Sequence, residues 1–146
     1  MIRAVLDTNI LVSAILVPSG IPARILVAAF AGAFLCFASE AIVGEVLVTL
    51  GRARVLRKCQ LDPAHISQIR EFLESRPVLV PITAEVRGVA SHPEDDLILA
   101  TAVSARVDYL VTGDRQLLAL QQFEGVQIVS PRDFLAILDA STPETH

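Results

Sequence analysis

Short apolar segments alternate with helical patterns along the whole chain, and this alternation limits the possible folds more than any other feature. Five segments have the length and composition of buried strands. They are residues 3–6, 33–38, 77–82, 109–112 and 126–129. Strands that alternate with helices usually form a mostly parallel sheet covered on both faces. We therefore predict an α/β fold, a three-layer sandwich whose central sheet of about five strands is flanked by helices.

Turn and capping residues set the limits of the predicted helices. Ser39 is the expected N-cap of a helix that ends near Gly51, and Asp62 with Pro63 opens another amphipathic helix. The other helices are predicted over residues 9–16, 22–32, 93–105 and 115–123, with a last one starting near residue 131. A chain of 146 residues without repeat or linker fits one domain. We predict that this domain covers residues 1–138 and that residues 139–146 form a short polar tail.

Composition and charge exclude several classes of protein. The longest uncharged apolar run, residues 25–38, is shorter than the roughly 20 residues of a membrane span, and the N-terminus lacks the pattern of a signal peptide. We expect a cytoplasmic protein with no membrane association. The net charge of -4 argues against a broad basic surface for coating nucleic acid. Cys36 and Cys59 lack the spacing of a zinc site, so both are predicted to be reduced structural thiols.

Acidic residues follow two of the predicted strands. Asp7 follows the first strand in Asp-Thr-Asn, Asp114 follows the fourth in Thr-Gly-Asp, and residues 94–96, Glu-Asp-Asp, begin the helix that leads into the fourth strand. Ligands of open α/β sheets bind at the carboxyl ends of the strands. Helix capping and favourable dipole interactions are the alternative explanation for each residue alone. Several carboxylates meeting at one sheet edge would repel one another, however, unless a cation compensates them.

Glu45 extends this acidic set because it lies in the middle of an otherwise apolar helix, where burying a lone carboxylate is costly. The alternative is that Glu45 faces water. Glu40, at the start of the same helix, is explained by the helix dipole. The candidate ligands are all carboxylates, which favours Mg²⁺ or Mn²⁺ over zinc. Such a metal activates water and neutralises charge on a leaving phosphate, so the predicted reaction class is phosphodiester hydrolysis.

The order of these motifs resembles that of the PIN-domain ribonucleases, many of which are toxins of bacterial and archaeal toxin–antitoxin pairs. A first strand ends in Asp7, a helix begun by Ser39 carries Glu45, and the segment beginning Pro93-Glu-Asp-Asp leads into a helix. The last motif is Val-Thr-Gly-Asp, which ends at Asp114. The resemblance extends over nearly the whole chain, including a closing strand and helix at residues 126–138.

The resemblance implies a site and a function. It implies a catalytic and metal-binding acidic set, with one aspartate taken from the pair 95/96. In the family pattern Asp95 fits that position better than Asp96. The implied acidic residues are Asp7, Glu45, Asp95 or Asp96, and Asp114. Asn9 and Thr112 match polar positions that would orient ligands or water, although both are also ordinary turn and strand-end residues. Mg²⁺ or Mn²⁺ dependence, RNA cleavage, a homodimer and, for a toxin, a small antitoxin partner are implied as well.

Two further features bear on RNA binding. The densest basic run is predicted to contact phosphate, with a solvated helix end as the alternative. Its members are Arg52, Arg54, Arg57 and Lys58. His92 lies close to the acids in sequence, where it fits either a general acid or base or a residue at the start of a helix.

Competing functions follow from the same residues. A non-catalytic PIN-like module that binds RNA or protein would not cleave with any metal, and a free-standing RNA-processing nuclease would lack an antitoxin. A phosphatase with Asp7 as nucleophile is less favoured, because Asp7-Thr8-Asn9 lacks the second acid of the Asp-x-Asp motif in one phosphatase superfamily. Glycine-rich nucleotide-binding loops are absent from the sequence.

Overall fold

The computed structural model describes residues 1–55, 77–90 and 92–141, together with residues 71, 73 and 75. Strands and helices alternate along these ranges, as predicted. In chain order the elements are β1 (Arg3–Leu6), α1 (Thr8–Leu16), α2 (Ile21–Phe30), β2 (Leu35–Ala38), α3 (Glu40–Val55), β3 (Val78–Leu79), α4 (Pro93–Ala105), β4 (Tyr109–Val111), α5 (Arg115–Leu120), β5 (Gln122–Phe123), β6 (Val126–Val129) and α6 (Pro131–Ser141). The helix predicted to open at Asp62 lies outside the described residues.

The strands form one sheet in the order β3-β2-β1-β4-β6-β5. Every neighbouring pair is parallel except β5 and β6, so the predicted mostly parallel sheet of about five strands is confirmed. The strands at the centre are apolar on both faces, as burial on both sides requires. Val5 pairs with Phe37 on one side and with Leu110 on the other, and Val5 and Leu110 are fully buried.

Helices cover both faces of this sheet. On one face the guanidinium of Arg3 lies 4.5 Å from the centre of the Phe37 ring and donates a 2.6 Å hydrogen bond to the carbonyl of Ala105 in α4. On the other face Phe134 of α6 packs edge-on against Phe34 and Tyr109, with ring centres 5.1 and 5.8 Å apart. On this second face α2 packs against α6. The first face is covered by α4 and the second by α6 with α2, so the predicted three-layer sandwich is confirmed.

Two predicted helix ends are wrong. The helix expected to end near Gly51 continues to Val55, because a single glycine in a helix is a weak stop. The helix predicted over residues 115–123 ends at Leu120, where Gln121 takes a φ of 63° and turns the chain back. Residues 122–123 then pair with β6 through a tight turn at Glu124 and Gly125, both with positive φ.

The end of the last helix and the state of the cysteines can also be compared with the predictions. Helix α6 extends to Ser141, three residues beyond the predicted domain end at residue 138. Burial raises the pKa of the Cys36 thiol to about 12, consistent with an unreactive structural thiol, whereas Cys59 is outside the described residues.

None of the described helices alone has the length and apolar composition of a membrane span. Helices α1 and α2 meet those criteria together but are bent by 97° relative to each other.

Candidate metal centre

The candidate site lies at the carboxyl ends of β1 and β4, which are neighbours in the middle of the sheet. From β1 the chain builds the sheet outward through β2 and β3, then returns to place β4 on the opposite side of β1. Crevices at such reversals of strand order are the usual ligand sites of open α/β sheets. Asp7 directly follows β1, and Thr112 and Asp114 follow β4.

Asp7 is held in a buried position, with only 3% of its surface exposed. Its backbone N–H donates to the carbonyl of Val111 (2.9 Å), and its Oδ2 accepts a 2.6 Å hydrogen bond from the Thr112 hydroxyl. Although Asp7 occupies the N-cap position of α1, its carboxylate makes no capping hydrogen bond. The capping explanation therefore does not account for the direction in which this side chain points.

The pKa of Asp7 is raised from 3.8 to about 6. Burial is the largest cause, and the negative charges of Asp95 and Asp114 raise it further. Hydrogen bonds from the Thr112 hydroxyl and the Thr8 backbone N–H act in the opposite direction. Asp7 is thus a carboxyl group placed among other carboxyl groups, a setting typical of functional sites.

Asp114 combines capping with a place in the acidic group. Its Oδ1 accepts hydrogen bonds from the backbone N–H groups of Gln116 (2.8 Å) and Leu117 (3.1 Å), which is N-cap geometry for α5. Its own N–H donates to the Thr112 hydroxyl oxygen at 3.0 Å. One buried hydroxyl therefore joins Asp7 and Asp114. Among the described residues no hydrogen bond uses Oδ2 of Asp114, so that oxygen is available to a ligand.

Glu45 projects from α3 toward the start of α1. Its side chain is half-buried, and its Oε2 accepts a 3.3 Å hydrogen bond from the hydroxyl of Thr8, the residue after Asp7. A glutamate that simply faced water would not make this contact. Glu40, five residues earlier in the same helix, is exposed. The structure thus distinguishes the two glutamates in the way that their positions in the helix predict.

Asp95 and Asp96 have different surroundings in the structure. Both oxygens of Asp96 accept backbone hydrogen bonds, Oδ2 from Gly88 (3.0 Å) and Oδ1 from Ala90 (2.8 Å), so this carboxylate holds the segment before α4. The pKa of Asp95 is raised by burial first and then by Asp114, Glu94 and Glu45, with His92 acting in the opposite direction. Asp95 thus belongs to the acidic group, and Asp96 is engaged elsewhere.

Replacing Asp96 by Ala should destabilise the fold by about 1–3 kcal/mol, because the N–H groups of Gly88 and Ala90 lose their acceptors. Asp96→Asn should have a smaller effect, since it retains one acceptor oxygen. Urea unfolding and amide hydrogen exchange at Gly88 and Ala90 measure both effects. If Asp96→Ala leaves those two amides as protected as in the wild type, the assignment of Asp96 to this segment is wrong.

The other predicted residues differ in where the structure places them. Thr112 is fully buried at the site, whereas Asn9 is exposed and its predicted orienting role stays a prediction. His92 is exposed at the N-cap position of α4 without a side-chain capping hydrogen bond, which favours a place at the start of the helix. Arg52 is exposed. The side chain of Arg54, and all of Arg57 and Lys58, lie outside the described residues.

The side chains of the site are carboxylates, the type of donor that a hard divalent cation prefers. In the ranges that the structure describes, no three Asp, Glu, His or Cys side chains are already grouped closely enough to hold a metal ion. In those same ranges no Lys or Arg forms an ion pair with the four carboxyl groups of the site. Burial and then neighbouring carboxyl groups raise the pKa values of Asp7 and Asp95, and a hard cation such as Mg²⁺ or Mn²⁺ would offset that unfavourable negative charge.

Sequence reasoning missed the hydroxyl groups that connect the site to its surroundings. Thr8 binds Glu45, and Ser39 shares a 2.9 Å hydrogen bond with Thr101 between α3 and α4. Thr101 is fully buried in an otherwise apolar stretch of α4. A polar residue among apolar neighbours was the available indication, but its partner is 62 positions away in the sequence.

Taken together, the fold and the acidic residues at its switch point define an α/β domain with a candidate ligand site at its strand ends. The sequence matches the PIN domain family over residues 3–116, and the chain belongs to that family, whose members are generally nucleases. No curated protein sequence matches it significantly.

Two solved structures share the fold. VapBC2 from Rickettsia felis, bound to a DNA fragment from its promoter, superposes with a TM-score of 0.62 and 17% identity over 88% of this chain and 98% of that chain. PAE2754 from Pyrobaculum aerophilum superposes with a TM-score of 0.65 and 20% identity over 96% of this chain and 91% of that chain. Both likenesses extend over most of this chain, so the fold assignment does not depend on the sequence motifs alone.

Proposed function

We propose that the chain is a Mg²⁺- or Mn²⁺-dependent endoribonuclease that hydrolyses RNA phosphodiester bonds. The observation that carries the proposal is the placement of carboxyl groups at the carboxyl ends of β1 and β4, where one Thr112 hydroxyl joins Asp7 to Asp114 and where neighbouring carboxyl groups add to the burial that raises the pKa values of Asp7 and Asp95. The proposed ligands are Asp7, Glu45, Asp95 and Asp114. These residues would hold the metal ion, which when bound activates water and neutralises charge on the phosphate.

The protein's own part in this reaction is to fix the carboxyl groups before the substrate arrives. Thr112 holds Asp7 and Asp114 through one hydroxyl, and Thr8 holds Glu45. The N-terminus of α5 fixes Oδ1 of Asp114. Ligands held by such neighbours lose little conformational freedom on binding, which favours the geometry that hydrolysis requires.

We also propose that the chain is the toxin of a type II toxin–antitoxin pair that acts in the cytoplasm. The resemblance of its motifs to such toxins supports this role, as does the shared fold with VapBC2. A small antitoxin that covers the acidic site and a homodimeric assembly are parts of the same proposal. A free-standing RNA-processing nuclease would show the same cleavage without an antitoxin partner.

Cleavage by the purified chain tests the proposed activity. We expect a single-stranded RNA to be cut with Mg²⁺ or Mn²⁺ and to remain intact in EDTA. Asp95→Asn should lose at least about 99% of this cleavage, because it removes a charged ligand of the metal. Asp133→Asn is the matched control, since Asp133 is an exposed carboxylate in the first turn of α6. Absence of cleavage with either metal would instead favour a non-catalytic binding module.

A further inference from the structure

A cleft lies between the start of α3 and the segment that follows β3. It has a volume of about 470 Å³, within the roughly 300–1,000 Å³ range of ligand pockets. The described residues that line it are Ser39, Glu40, Ala41, Val80, Pro81 and Ile82. Because β2 and β3 run parallel to β1, the cleft opens at the same edge of the sheet as Asp7.

Hydrogen bonds fix both walls of the cleft. Val80 N–H donates to the carbonyl of Ala38 (2.9 Å) and so continues the pairing of β3 with β2. The shared hydrogen bond of Ser39 and Thr101 ties the start of α3 to α4, the helix that carries Asp95. The cleft is therefore preformed and is connected to the acidic group through two helices.

The segment that follows β3 is also hydrogen-bonded to α4. The Ser104 hydroxyl oxygen accepts hydrogen bonds from the N–H groups of Thr83 (2.9 Å) and Ala84 (3.0 Å). Asp96 holds Gly88 and Ala90 in the same way. Hydrogen bonds before and after Glu85 thus hold this irregular segment against α4. They also limit the movement of Pro81 and Ile82, which form one wall of the cleft.

We propose that this cleft is a subsite for an unpaired base of the RNA substrate, an inference that rests on the proposed function. The side chains of Ala41, Val80, Pro81 and Ile82 give apolar walls for the faces of a flat ring. The exposed Glu40 carboxylate accepts hydrogen bonds only, and its negative charge disfavours a phosphate in the same place. A neutral base with N–H donors fits between the apolar walls and can donate hydrogen bonds to Glu40.

Guanine fits this description best. Its pairing edge presents two adjacent donors, N1–H and the N2 amino group, to the two oxygens of one carboxylate. Uracil presents a single N–H between two carbonyl oxygens, which the Glu40 carboxylate would repel. Glu40 and Glu45 lie on one helix, about 7.5 Å apart along its axis. One RNA strand can therefore reach both the cleft and the acidic group.

Two variants and a control test the subsite. Ala41→Trp places a large side chain in the cleft from an exposed helix position, and Glu40→Gln removes the charge while keeping the size. Val48→Trp is the matched control, because Val48 is 56% exposed on the same helix and does not line the cleft. The measurement is kcat/KM for single-stranded RNAs that differ in one base beside the cleavage site. In addition, NMR shifts of the Ile82 methyl groups are followed with guanosine and uridine trinucleotides in EDTA.

We expect the wild type to favour guanine over uracil at one flanking position by about tenfold or more. Ala41→Trp should lower kcat/KM for the guanine substrate about tenfold, Glu40→Gln should remove the preference, and Val48→Trp should behave as the wild type. Cleavage that Ala41→Trp leaves unchanged, without guanosine-dependent shifts at Ile82, overturns the subsite but not the nuclease. If the wild type cleaves no RNA, the proposed function fails, and the Ile82 shifts alone decide whether the cleft binds the base.

Discussion

Asp7→Asn is expected to lower metal-dependent RNA cleavage by about a thousandfold or more and, above pH 6, to stabilise the metal-free protein. The two effects have one cause. The asparagine carbonyl still accepts the hydrogen bond from Thr112, so the local geometry is retained. The charge that a metal ion requires is lost, and so is the free-energy cost of burying that charge.

The sign of the stability effect follows from the raised pKa of Asp7. Between its ordinary value of 3.8 and its value of about 6 in the fold, the folded chain keeps a proton that the unfolded chain releases. This contribution to stability is fully present below pH 3.8 and is lost as the pH rises through 6. A shift of this size corresponds to about 3 kcal/mol. Asp7→Asn avoids the loss, so its advantage over the wild type should grow between pH 4 and pH 7.5.

Urea unfolding in EDTA at pH 4 and pH 7.5, together with cleavage assays in Mn²⁺, measures both effects. Asp133→Asn again serves as the control, since its exposed carboxylate carries neither effect. A stability gain of equal size at both pH values would show that the charge of Asp7 is not its origin. Cleavage at the wild-type rate would show that Asp7 is not a metal ligand.

Thr112→Val should have the second largest effect. Valine has nearly the same shape, but the buried Asp7 carboxylate loses its 2.6 Å donor and the N–H of Asp114 loses its acceptor. We expect a destabilisation of about 2–4 kcal/mol and a roughly 10–100-fold loss of activity. The pKa of Asp7 should rise further, because the hydrogen bond from Thr112 lowers it.

Thr112→Ser separates this role from simple packing. Serine keeps the hydroxyl and removes a methyl group, so activity and the apparent Mn²⁺ affinity should return to within a fewfold of the wild type. Unfolding in urea and Mn²⁺ titrations followed by thermal melting compare the three proteins. Equal loss of Mn²⁺ affinity in the Ser and Val variants would assign the effect to packing instead of the hydrogen bond.

Much of the fold and part of the site followed from local sequence patterns. The apolar segments before Asp7 and Asp114 identify β1 and β4, and parallel strands bring their carboxyl ends to one edge. Glu45 was identifiable because a carboxylate in an apolar helix needs a partner. Each inference depends on a short stretch of chain and on a general rule of sheet geometry. The predicted strands are confirmed, whereas the roles of the carboxyl groups stay predictions.

The remaining features depend on residues distant in sequence. No local pattern shows that Asp96 binds the backbone of residues 88–90 while the pKa of Asp95 is raised by burial and then by Asp114, Glu94 and Glu45. The β5–β6 hairpin was missed because its turn is Glu124-Gly125, where Asn-Gly or Asp-Gly is the usual indication. The cleft was missed because residues 39–41 and 80–82 form it only after β2 and β3 have paired.

The strand order has a consequence for the protein during its synthesis. Asp7 and Glu45 precede Asp95 and Asp114 in the sequence and are therefore translated before them. The two parts of the chain meet at the pairing of β1 with β4. A ribosome-bound chain that has not yet released β4 carries only half of the acidic group, so the four carboxyl groups come together only after β4 has left the ribosome.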